Sequence, residues 1–505
     1  MIRPFNRNFL DCPAAADVAE VLIRVKHQQK SVKKPACTAD VIRNIGNFLK
    51  IALDHFWRKR YSTATWLAKA RQKNMEGTAK PKGLAKIWRE VKRPFKRSFK
   101  PIKKWFKIIK ERWREQCSQR NYRRILINLK KKDTIKVVFL VSQCAKWNSD
   151  SLYQKLEADR RFSPVILYVP QLAYEQKDSN DEVECRFYRD RGYNFAAIFS
   201  SAELRAHKPD IVFYQQPWGN RKGDFAPVQV SQYALCLYFP YSIATTIDRK
   251  RVIDCFSFFK TLYRNFVFNT AVVEEFHAKG VHNTIATGHP KLDAYLTPVK
   301  TNPWKDQEKF KIIYAPHHSL VSFANSLLQW GTFDWNGREL LDWAKAHTDT
   351  EWIFKPHPRF RYFAMHSNIM NESELDAYYN EWNNIGSVYT LGDYFDIFRT
   401  ADLLITDCGS FLTEWLPTEK PCIHLLSRRD GSNIRSFVHE ASSRNYYKVK
   451  NLEELHAALD MLVIRREDPL AAARIQDAKA IPLDNAKNIH HWLIQTLCMT
   501  EGGVV

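Results

Sequence analysis

The chain has 505 residues, and its 78 Lys and Arg against 54 Asp and Glu give a formal net charge of +24 at pH 7 with histidine neutral. This length exceeds one ordinary hydrophobic core and predicts two α/β domains with an additional segment. Hydrophobic residues at 45% exclude a disordered chain, and the longest apolar runs, such as 137–141, are far shorter than the roughly 20 residues that cross a bilayer.

The amino-terminal residues and the cysteines favour a cytoplasmic protein. Residues 1–13 contain neither the apolar core nor the small-residue cleavage site of a signal peptide. The ten cysteines form no Cys-x-x-Cys pair and no regular spacing, which argues against a zinc site or a disulfide framework. We therefore expect reduced thiols in the cytoplasm.

Positive charge is concentrated in residues 80–132, which hold 13 Lys and 8 Arg against three Glu. Apolar residues recur there at steps of three or four, the spacing of an amphipathic helix, and Pro94 and Pro101 should divide it into short pieces. The preferred interpretation is a helix on an anionic membrane surface. Packing of the apolar stripe on the rest of the protein is the second. Nucleic-acid binding is the third and is not expected, because no known motif supports it.

Residues 131–300 alternate short β-branched or aromatic runs with helical stretches, which is typical of a parallel sheet. Predicted strands in this half are 136–141, 164–169, 195–199, 210–214 and 234–239, with a short one ending at 287. Its predicted helices include 150–159 and 269–279.

Residues 301–480 repeat the plan, with predicted strands at 311–315, 351–355, 387–390, 402–406 and 421–426 and helices at 337–347, 372–382, 411–416 and 452–465. The sequence thus predicts two Rossmann-like doubly wound α/β domains that face a cleft. A basic, largely helical region at 1–130 precedes them and a helix or tail at 481–505 follows. Ligands of such sheets bind beyond the carboxyl ends of the strands.

The segment ITDCGSF places Asp407, Gly409 and Ser410 in a turn between a predicted strand and a predicted helix. Backbone N–H groups at a helix N-terminus, together with a hydroxyl, are suited to binding the phosphate of a nucleotide. Glu414, one turn further on, is a candidate to accept hydrogen bonds from a ribose or polyol. The alternative is a helix cap at Ser410 and a plain turn residue at Asp407.

The segment FKPHP places Lys355 and His357 directly after a predicted strand, with Pro356 and Pro358 stiffening the loop. A cation and an imidazole can neutralise charge that grows on a leaving phosphate. A single histidine after a strand is more often structural, but the two prolines and the lysine favour a ligand contact here.

Further candidate histidines occur in YAPHHS and in GHPKLD, where histidine could act as a general base and a carboxylate could orient it. For each single histidine a structural or substrate-binding role is the more frequent one. The residues concerned are His317, His318, His289, Lys291 and Asp293, of which Lys291 and Asp293 are also candidates for acceptor binding.

The chain contains no Asp-x-Asp pair, no His-Glu-x-x-His motif and no Walker loop. We therefore expect no cofactor and no metal, and assign charge stabilisation to basic side chains and helix dipoles.

The order GHPKLD, YAPHHS, FKPHP and ITDCGSFLTEWLPTEKPCIHL resembles the CDP-glycerol glycerophosphotransferase family of teichoic-acid and capsule synthesis. The likeness covers about residues 131–430, and the last two motifs are the most specific. It implies the GT-B arrangement, a CDP-linked donor and metal independence. It also implies that Lys355 and His357 match the family's Lys-x-His-Pro element, whose histidine is functionally required. Asp407 and Ser410 match its Thr-Asp-x-x-Ser element beside the CMP phosphates.

The chain departs from this family in three segments. Where the family has a Trp-His-Gly element that supplies the base, this chain has FYQQPWGN, so Gln215, Gln216 and Trp218 become candidates for acceptor binding. YAPHHS replaces a Pro-Thr-Phe type sequence, and Gly409 replaces a frequent serine. Either one of the histidines 289, 317 and 318 has become the base, or the chemistry is glycosyl transfer.

The favoured function is a transferase that moves a glycerol-phosphate or glycosyl group from a cytidine-nucleotide donor to a cell-surface polysaccharide or lipid-linked acceptor. It would work at the inner face of the membrane, held there by residues 80–132. One alternative is a GT-B glycosyltransferase that uses a CMP- or UDP-sugar for capsule or lipopolysaccharide synthesis. The other is a non-catalytic protein that binds nucleic acid or anionic lipid.

Overall fold

The first sheet consists of seven parallel strands in the order β3-β2-β1-β4-β5-β6-β7. The computed structural model describes residues 111–170, 181–217, 223–241, 243, 256–320, 330–390, 394–428 and 444–497. The strands are β1 (Ile135–Val141), β2 (Phe162–Tyr168), β3 (Phe195–Ala197), β4 (Ile211–Tyr214), β5 (Leu235–Tyr238), β6 (Arg264–Val267) and β7 (Thr284–Ala286).

The helices that accompany this sheet are mostly short. They are α1 (111–129), α2 (Asp150–Glu157), α3 (Asp181–Arg189), α4 (Ser201–Ala206), α5 (Pro227–Val230), α6 (256–261) and α7 (Thr270–Ala278). A 3₁₀ turn at Cys144–Lys146 follows β1, and a second one at Pro290–Leu296 leads to the second half.

The second sheet has six parallel strands in the order β10-β9-β8-β11-β12-β13. They are β8 (Phe310–Ala315), β9 (Thr350–Phe354), β10 (Gly386–Val388), β11 (Leu403–Thr406), β12 (Cys422–Leu425) and β13 (Tyr447–Val449). The helices around it are α8 (Phe333–Ala346), α9 (Phe360–His366), α10 (Glu372–Ile385), α11 (Phe395–Thr400), α12 (Gly409–Trp415), α13 (Leu452–Leu459) and α14 (Ala471–Lys479), and α15 (Asn485–Leu497) closes the described chain.

Successive residues of the second sheet enter two different cores, because side chains alternate between the faces of a strand. On β8, Ile312 and Tyr314 pack into one core and Ile313 and Ala315 into the other. The first half has a single extensive core, centred on strands such as β1 that are buried on both faces. Near-continuous apolar strands of this kind are typical of parallel sheets with helices on both sides.

The predicted fold class, two doubly wound Rossmann-like halves in one chain, is confirmed. Two strands were missed. Strand β6 is only four residues long and starts with Arg264 and the buried Asn265, and β13 is only three residues long. Helix α8 begins at Phe333 rather than at residue 337.

Helix α15, the last one in the described part of the chain, returns to the first half, where Ile489 and Leu493 lie in its core. Helix α1 also packs on this half through Tyr122, whose hydroxyl donates to Thr261 O at 2.7 Å. For α1 the structure therefore agrees with the packing interpretation of the basic region. Residues 80–110, which carry most of that prediction, lie outside the described residues. The domain boundaries themselves remain predictions.

Among the described residues, no helix combines the length and the apolarity that crossing a bilayer requires. The cysteines at 117, 144, 185, 236, 408 and 422 are free thiols.

Candidate functional site

The candidate site lies where the strand order of the second sheet reverses, between β8 and β11. In doubly wound sheets, ligands bind beyond the carboxyl ends of the strands at such a point. The register sets Ala315 opposite Thr406 and Tyr314 opposite Phe354, so β8, β11 and β9 end at the same edge. The segments that carry His317 and His318, Lys355 and His357, and Asp407 all start from this edge.

Asp407 connects two of these segments through its carboxylate. Oδ1 accepts the backbone N–H of His317 at 2.5 Å. Oδ2 accepts the backbone N–H of Thr332 at 2.7 Å and its hydroxyl at 2.8 Å. The side chain is buried, and burial raises the pKa of Asp407 to about 7 against the opposing effect of these donors. Asp407 thus holds the loop that contains His317 and the start of α8 in place.

The rings of His317, His318 and His357 form one cluster, which we call the histidine cluster. The ring centroids of His317 and His318 are 4.2 Å apart, and those of His318 and His357 are 4.0 Å apart. The third pair, His317 and His357, is separated by 5.3 Å. The structure therefore brings together three of the four histidines that the sequence singled out.

Hydrogen bonds assign the tautomer of His317. The hydroxyl oxygen of Ser319 accepts the backbone N–H groups of Trp330 and Gly331 at 3.0 and 3.1 Å. Its own hydrogen is then available to Nδ1 of His317, 2.9 Å away, which also accepts the backbone N–H of Ser319 at 3.2 Å. Nδ1 is consequently an acceptor, and Nε2 carries the ring hydrogen.

His357 has the same arrangement. Its Nδ1 accepts the backbone N–H of Arg359 at 3.1 Å, which again leaves the hydrogen on Nε2. Burial, followed by the positive charge of nearby groups, holds the pKa of His357 well below its usual range. Burial alone lowers the pKa of His317 to about 3. Both rings are neutral at pH 7 and present N–H groups as hydrogen-bond donors.

The histidine cluster also has the spacing of a metal site, since one nitrogen from each ring lies within 4.8 Å of the others. A metal-bound imidazole needs a lone pair toward the ion and normally donates its other N–H to an oxygen. Here Nδ1 of His317 and Nδ1 of His357 face N–H groups instead. These contacts favour binding of an anion over binding of a metal ion.

Lys355 adds a buried cation beside the cluster. Its ammonium nitrogen lies 4.8 Å from the ring centroid of Tyr394, 5.5 Å from that of Tyr389 and 5.8 Å from that of Phe411. Faces of aromatic rings attract a cation, so these three rings help to hold the side chain in position.

Glu414 lies in a buried network rather than in an open pocket. Its side chain is 0% exposed, and Oε1 pairs with the ammonium of Lys291 at 2.9 Å. The hydroxyl of Tyr394 donates to Oε2, and Lys291 also contacts that hydroxyl at 2.6 Å. Glu414, a predicted contact of the nucleotide donor, and Lys291, a predicted contact of the acceptor substrate, therefore form an ion pair with each other.

Gly409 is the first residue of α12, and Ser410 is half-buried beside it. The hydroxyl of Ser410 lies 3.3 Å from Sγ of Cys408. Burial raises the pKa of Cys408 to about 11, so its thiol stays protonated at pH 7. Ser410 remains a predicted phosphate contact, and Cys408 is not a nucleophile in this environment.

His289 and Asp293 have contacts within the first half. Nδ1 of His289 accepts the backbone N–H of Lys291 at 3.2 Å, and Nε2 lies 2.8 Å from Pro240 O, so both nitrogens are engaged. Asp293 accepts the backbone N–H groups of Asn485 and Ala486 at 2.6 and 2.8 Å. Both arrangements favour structural roles, in which Asp293 caps α15.

The first sheet reverses its strand order between β1 and β4, and Gln215 and Gln216 follow β4. Nε2 of Gln215 donates to Oγ of Ser149 at 2.8 Å. Gln216 accepts from the ammonium of Lys146 at 2.9 Å. Both glutamines are buried, and Trp218 lies outside the described residues.

Sequence reasoning missed several residues of the site. Ser319 and Thr332 become recognisable only once His317 and Asp407 are seen together. Lys146 offered a usable signal, because it lies five residues after β1 at a predicted carboxyl edge. The histidines of the second half were identified because they directly follow predicted strands. The same criterion applied to the first half would also have identified Lys146.

No protein-family model matches the chain, and no curated protein does. Among solved structures, S. aureus MnaA in its co-structure with UDP is similar over 74% of this chain and 99% of its own, at 13% identity and a TM-score of 0.49. UDP-GlcNAc 2-epimerase from Neisseria meningitidis bound to UDP-GlcNAc is similar over 73% of this chain and 100% of its own, at 13% identity and a TM-score of 0.48.

A variant of the wall teichoic acid polymerase TagF soaked with CDPG is similar over 77% of this chain and 99% of its own, at 12% identity and a TM-score of 0.46. TagF belongs to the class of enzyme that the sequence motifs resemble. At these identities the similarities concern the fold alone.

Proposed function

We propose that the chain is a transferase that moves a glycerol-phosphate or glycosyl group from a cytidine-nucleotide donor to a cell-surface polysaccharide or lipid-linked acceptor. The observation that carries this proposal is the meeting of three segments, after β8, β9 and β11, at the point where the second sheet reverses its strand order. These segments bring the neutral imidazole N–H donors of His317 and His357 close to the ammonium of Lys355, where a phosphate of the donor would bind.

In this proposal, His317, His357 and Lys355 stabilise the negative charge that develops on the leaving nucleotide. Donors fixed in advance by the fold stabilise such charge without reorganising during the reaction. Asp407, predicted as a phosphate contact, is a positioning residue in this proposal, because both of its carboxylate oxygens accept hydrogen bonds from the segments that it joins. Ser410, with the backbone at Gly409, is a further phosphate contact, and His318 completes the cluster. The acceptor would bind against the first half.

Calorimetric titration of the purified chain with CDP-glycerol, CMP and UDP tests the donor. Binding of CDP-glycerol and CMP, with UDP much weaker, is the expected result. Preference for UDP would move the assignment to the alternative glycosyltransferase that uses a UDP-sugar. Binding of no nucleotide at millimolar concentration would contradict both enzymes and leave the non-catalytic alternative.

Independence from metal ions is part of the proposal, and the contacts of Nδ1 in His317 and His357 with backbone N–H groups support it. Extensive dialysis against a chelator should leave turnover unchanged, and metal analysis of the active protein should find well under one equivalent. A chelated protein that regains turnover only when a divalent ion is added would contradict this part of the proposal.

We also propose that the basic region keeps the enzyme at an anionic membrane surface. The exposed face of α1 supports this, with Arg120, Arg123 and Arg124 beside Ile127, which is 59% exposed. Flotation with anionic vesicles should recover the protein at low salt and lose it at high salt, because salt screens surface charge. Equal recovery with neutral vesicles would contradict an electrostatic contact.

A further inference from the structure

The first half places a lysine beside its own strand reversal, just as the second half places the histidine cluster beside its reversal. Lys146 ends the 3₁₀ turn that follows β1, and Gln216 follows β4, the strand on the other side of the reversal. The register sets Leu140 opposite Tyr214, so both segments start from the same carboxyl edge. Lys146 therefore belongs to the segment that follows β1, just as His317 belongs to the segment that follows β8, the corresponding strand of the second half.

The side chain of Lys146 is held by neighbours that are themselves fixed. Its ammonium donates to Oε1 of Gln216 at 2.9 Å, and Nε2 of that amide donates to Oγ of Ser142 at 2.5 Å. These two contacts set the amide so that its oxygen faces the lysine. The ammonium also lies 5.4 Å from the ring centroid of Tyr241. At the start of the turn, the carboxylate of Glu184 accepts the backbone N–H of Cys144.

A chain of contacts places Lys146 near Lys355. Tyr241, whose ring centroid lies 5.4 Å from the ammonium of Lys146, directly follows Pro240, and the carbonyl oxygen of Pro240 lies 2.8 Å from Nε2 of His289. Lys291, two residues after His289, contacts the hydroxyl of Tyr394 at 2.6 Å, and the ring centroid of Tyr394 lies 4.8 Å from the ammonium of Lys355.

Lys146 is thus close enough for its charge to act on the ring of His357. It is one of the positive groups, after Lys355 and Arg359, that help to lower the pKa of that histidine. Positive charge thus reaches the same ring from both halves of the molecule. An arrangement of cations around neutral N–H donors is suited to a group with several negative oxygens, such as a phosphate.

We propose that Lys146 binds a phosphate group held between the two halves, opposite His357 and Lys355. This inference rests on the proposed function, because it takes a phosphate to be present at the reacting centre. The phosphate belongs either to the nucleotide donor or to the acceptor. In both cases Lys146 supplies the first half's contact with it, and Gln216 is the positioning residue that aims the ammonium.

The test compares the full chain with its Lys146→Met variant, using CDP, cytidine, inorganic pyrophosphate and inorganic phosphate as probes. A donor phosphate predicts at least tenfold weaker binding of CDP and pyrophosphate and unchanged binding of cytidine. If the phosphate belongs to the acceptor, CDP binding should be unchanged. Inorganic phosphate should then bind to the CDP-saturated unmodified chain but not to the CDP-saturated Lys146→Met variant. Lys146→Arg should restore most of the lost affinity in either case.

Lys155→Met is the matched control, since Lys155 belongs to the same half and its side chain is 35% exposed. It should bind every probe like the unmodified chain, and the thermal midpoints of both variants should match it. Gln216→Leu should reproduce part of the effect of Lys146→Met.

Equal affinity of Lys146→Met and the unmodified chain for CDP, pyrophosphate and phosphate would overturn the inference while leaving the proposed function intact. If the unmodified chain binds no nucleotide, the proposed function fails instead. Pyrophosphate then decides the role of Lys146. Weaker pyrophosphate binding in Lys146→Met than in the unmodified chain supports the inference. Equal pyrophosphate binding in the two proteins, or no binding to either, overturns it.

Discussion

Three histidines of this chain share one local arrangement, in which Nδ1 accepts the backbone N–H of the residue two positions on. The pairs are His289 with Lys291, His317 with Ser319, and His357 with Arg359. Each such ring carries its hydrogen on Nε2 and cannot take up a proton at Nδ1 without losing that contact. The geometry therefore favours hydrogen-bond donation over base catalysis for all three.

Replacing His357 by alanine should lower turnover at least 100-fold, because loss of one transition-state donor typically costs about 3 kcal/mol. The measurement is steady-state turnover with saturating donor, together with a circular dichroism spectrum that shows intact folding. His366→Ala is the control, since His366 is exposed and its Nδ1 lies 2.7 Å from Tyr362 O, away from the cluster. Near-normal turnover of His357→Ala would remove this residue from the mechanism.

At the scale of the elements, one carboxylate fixes the relation between two segments of the second half. The loop after β8 and the start of α8 are joined through Asp407, which follows β11. Because the start of α8 and the loop after β8 are hydrogen-bonded to the same side chain, loss of that side chain should displace both. The histidine cluster therefore depends on a residue that does not belong to it.

Asp407→Ala should lower the free energy of unfolding by about 3 kcal/mol, since it leaves three buried donors unsatisfied at about 1 kcal/mol or more each. Thr332→Val, which removes only the hydroxyl contact, should cost about 1 kcal/mol. Urea unfolding measures both values. Hydrogen exchange at the amides of His317 and Thr332 should accelerate in Asp407→Ala. Equal stability of the two variants would show that the carboxylate does not hold the segments together.

On the scale of the whole molecule, the turn Pro290–Leu296 joins the end of the first half to the second. Lys291 pairs with Glu414, and the hydroxyl of Tyr295 donates to the backbone carbonyl of Glu414. Both contacts lie on α12, the helix that follows Asp407. The connection between the halves therefore ends next to the candidate site.

Lys291→Met should destabilise the protein by about 3 to 5 kcal/mol, because it leaves the Glu414 carboxylate buried without its cation. The double variant with Glu414→Leu should recover much of this loss, since apolar residues of similar volume often replace a buried ion pair at little cost. Denaturant unfolding of the two single variants and the double variant measures the coupling. Additive effects would contradict a direct interaction between these two groups.

Stability should also depend on pH through the buried titratable groups. Burial lowers the pKa of His289 and of His317 to about 3, and the pKa of His357 also lies well below 6.5. Below pH 6.5 the unfolded chain protonates all three histidines while the folded chain does not, so stability falls as pH falls. Asp407, with its pKa raised to about 7, has the opposite effect between about pH 4 and 7.

Between pH 5 and 6 the three histidines add about three protons to the unfolded chain, and Asp407 adds about one to the folded chain. The unfolded chain therefore binds about two protons more, so these groups should lower the free energy of unfolding by about 3 kcal/mol for each unit by which the pH falls. Urea unfolding at pH 5.0 and 6.0 measures this slope. In His289→Gln, whose amide nitrogen can replace the Nε2 hydrogen bond to Pro240 O, the slope should decrease by about 1.4 kcal/mol per unit. A slope that the substitution leaves unchanged would mean that His289 is not buried as a neutral ring.

The sequence by itself determined the two sheets and the order of the chemical segments along them. Alternation of apolar runs with helical stretches is a local pattern, and the carboxyl end of a strand can be placed without knowing its neighbours. This is why Lys355, His357 and Asp407 were found, and why a short strand with a polar start such as β6 was not.

Only the tertiary structure decided which of these side chains face one another. Glu414 meets Lys291, Asp293 caps a helix that begins at Asn485, and Gln216 holds Lys146. Each contact joins residues that are far apart in the chain, so it depends on strand order and register, which local patterns do not encode. Buried polar groups need partners wherever the fold provides them. The fold therefore decided which polar residues pair internally and which remain available to a ligand.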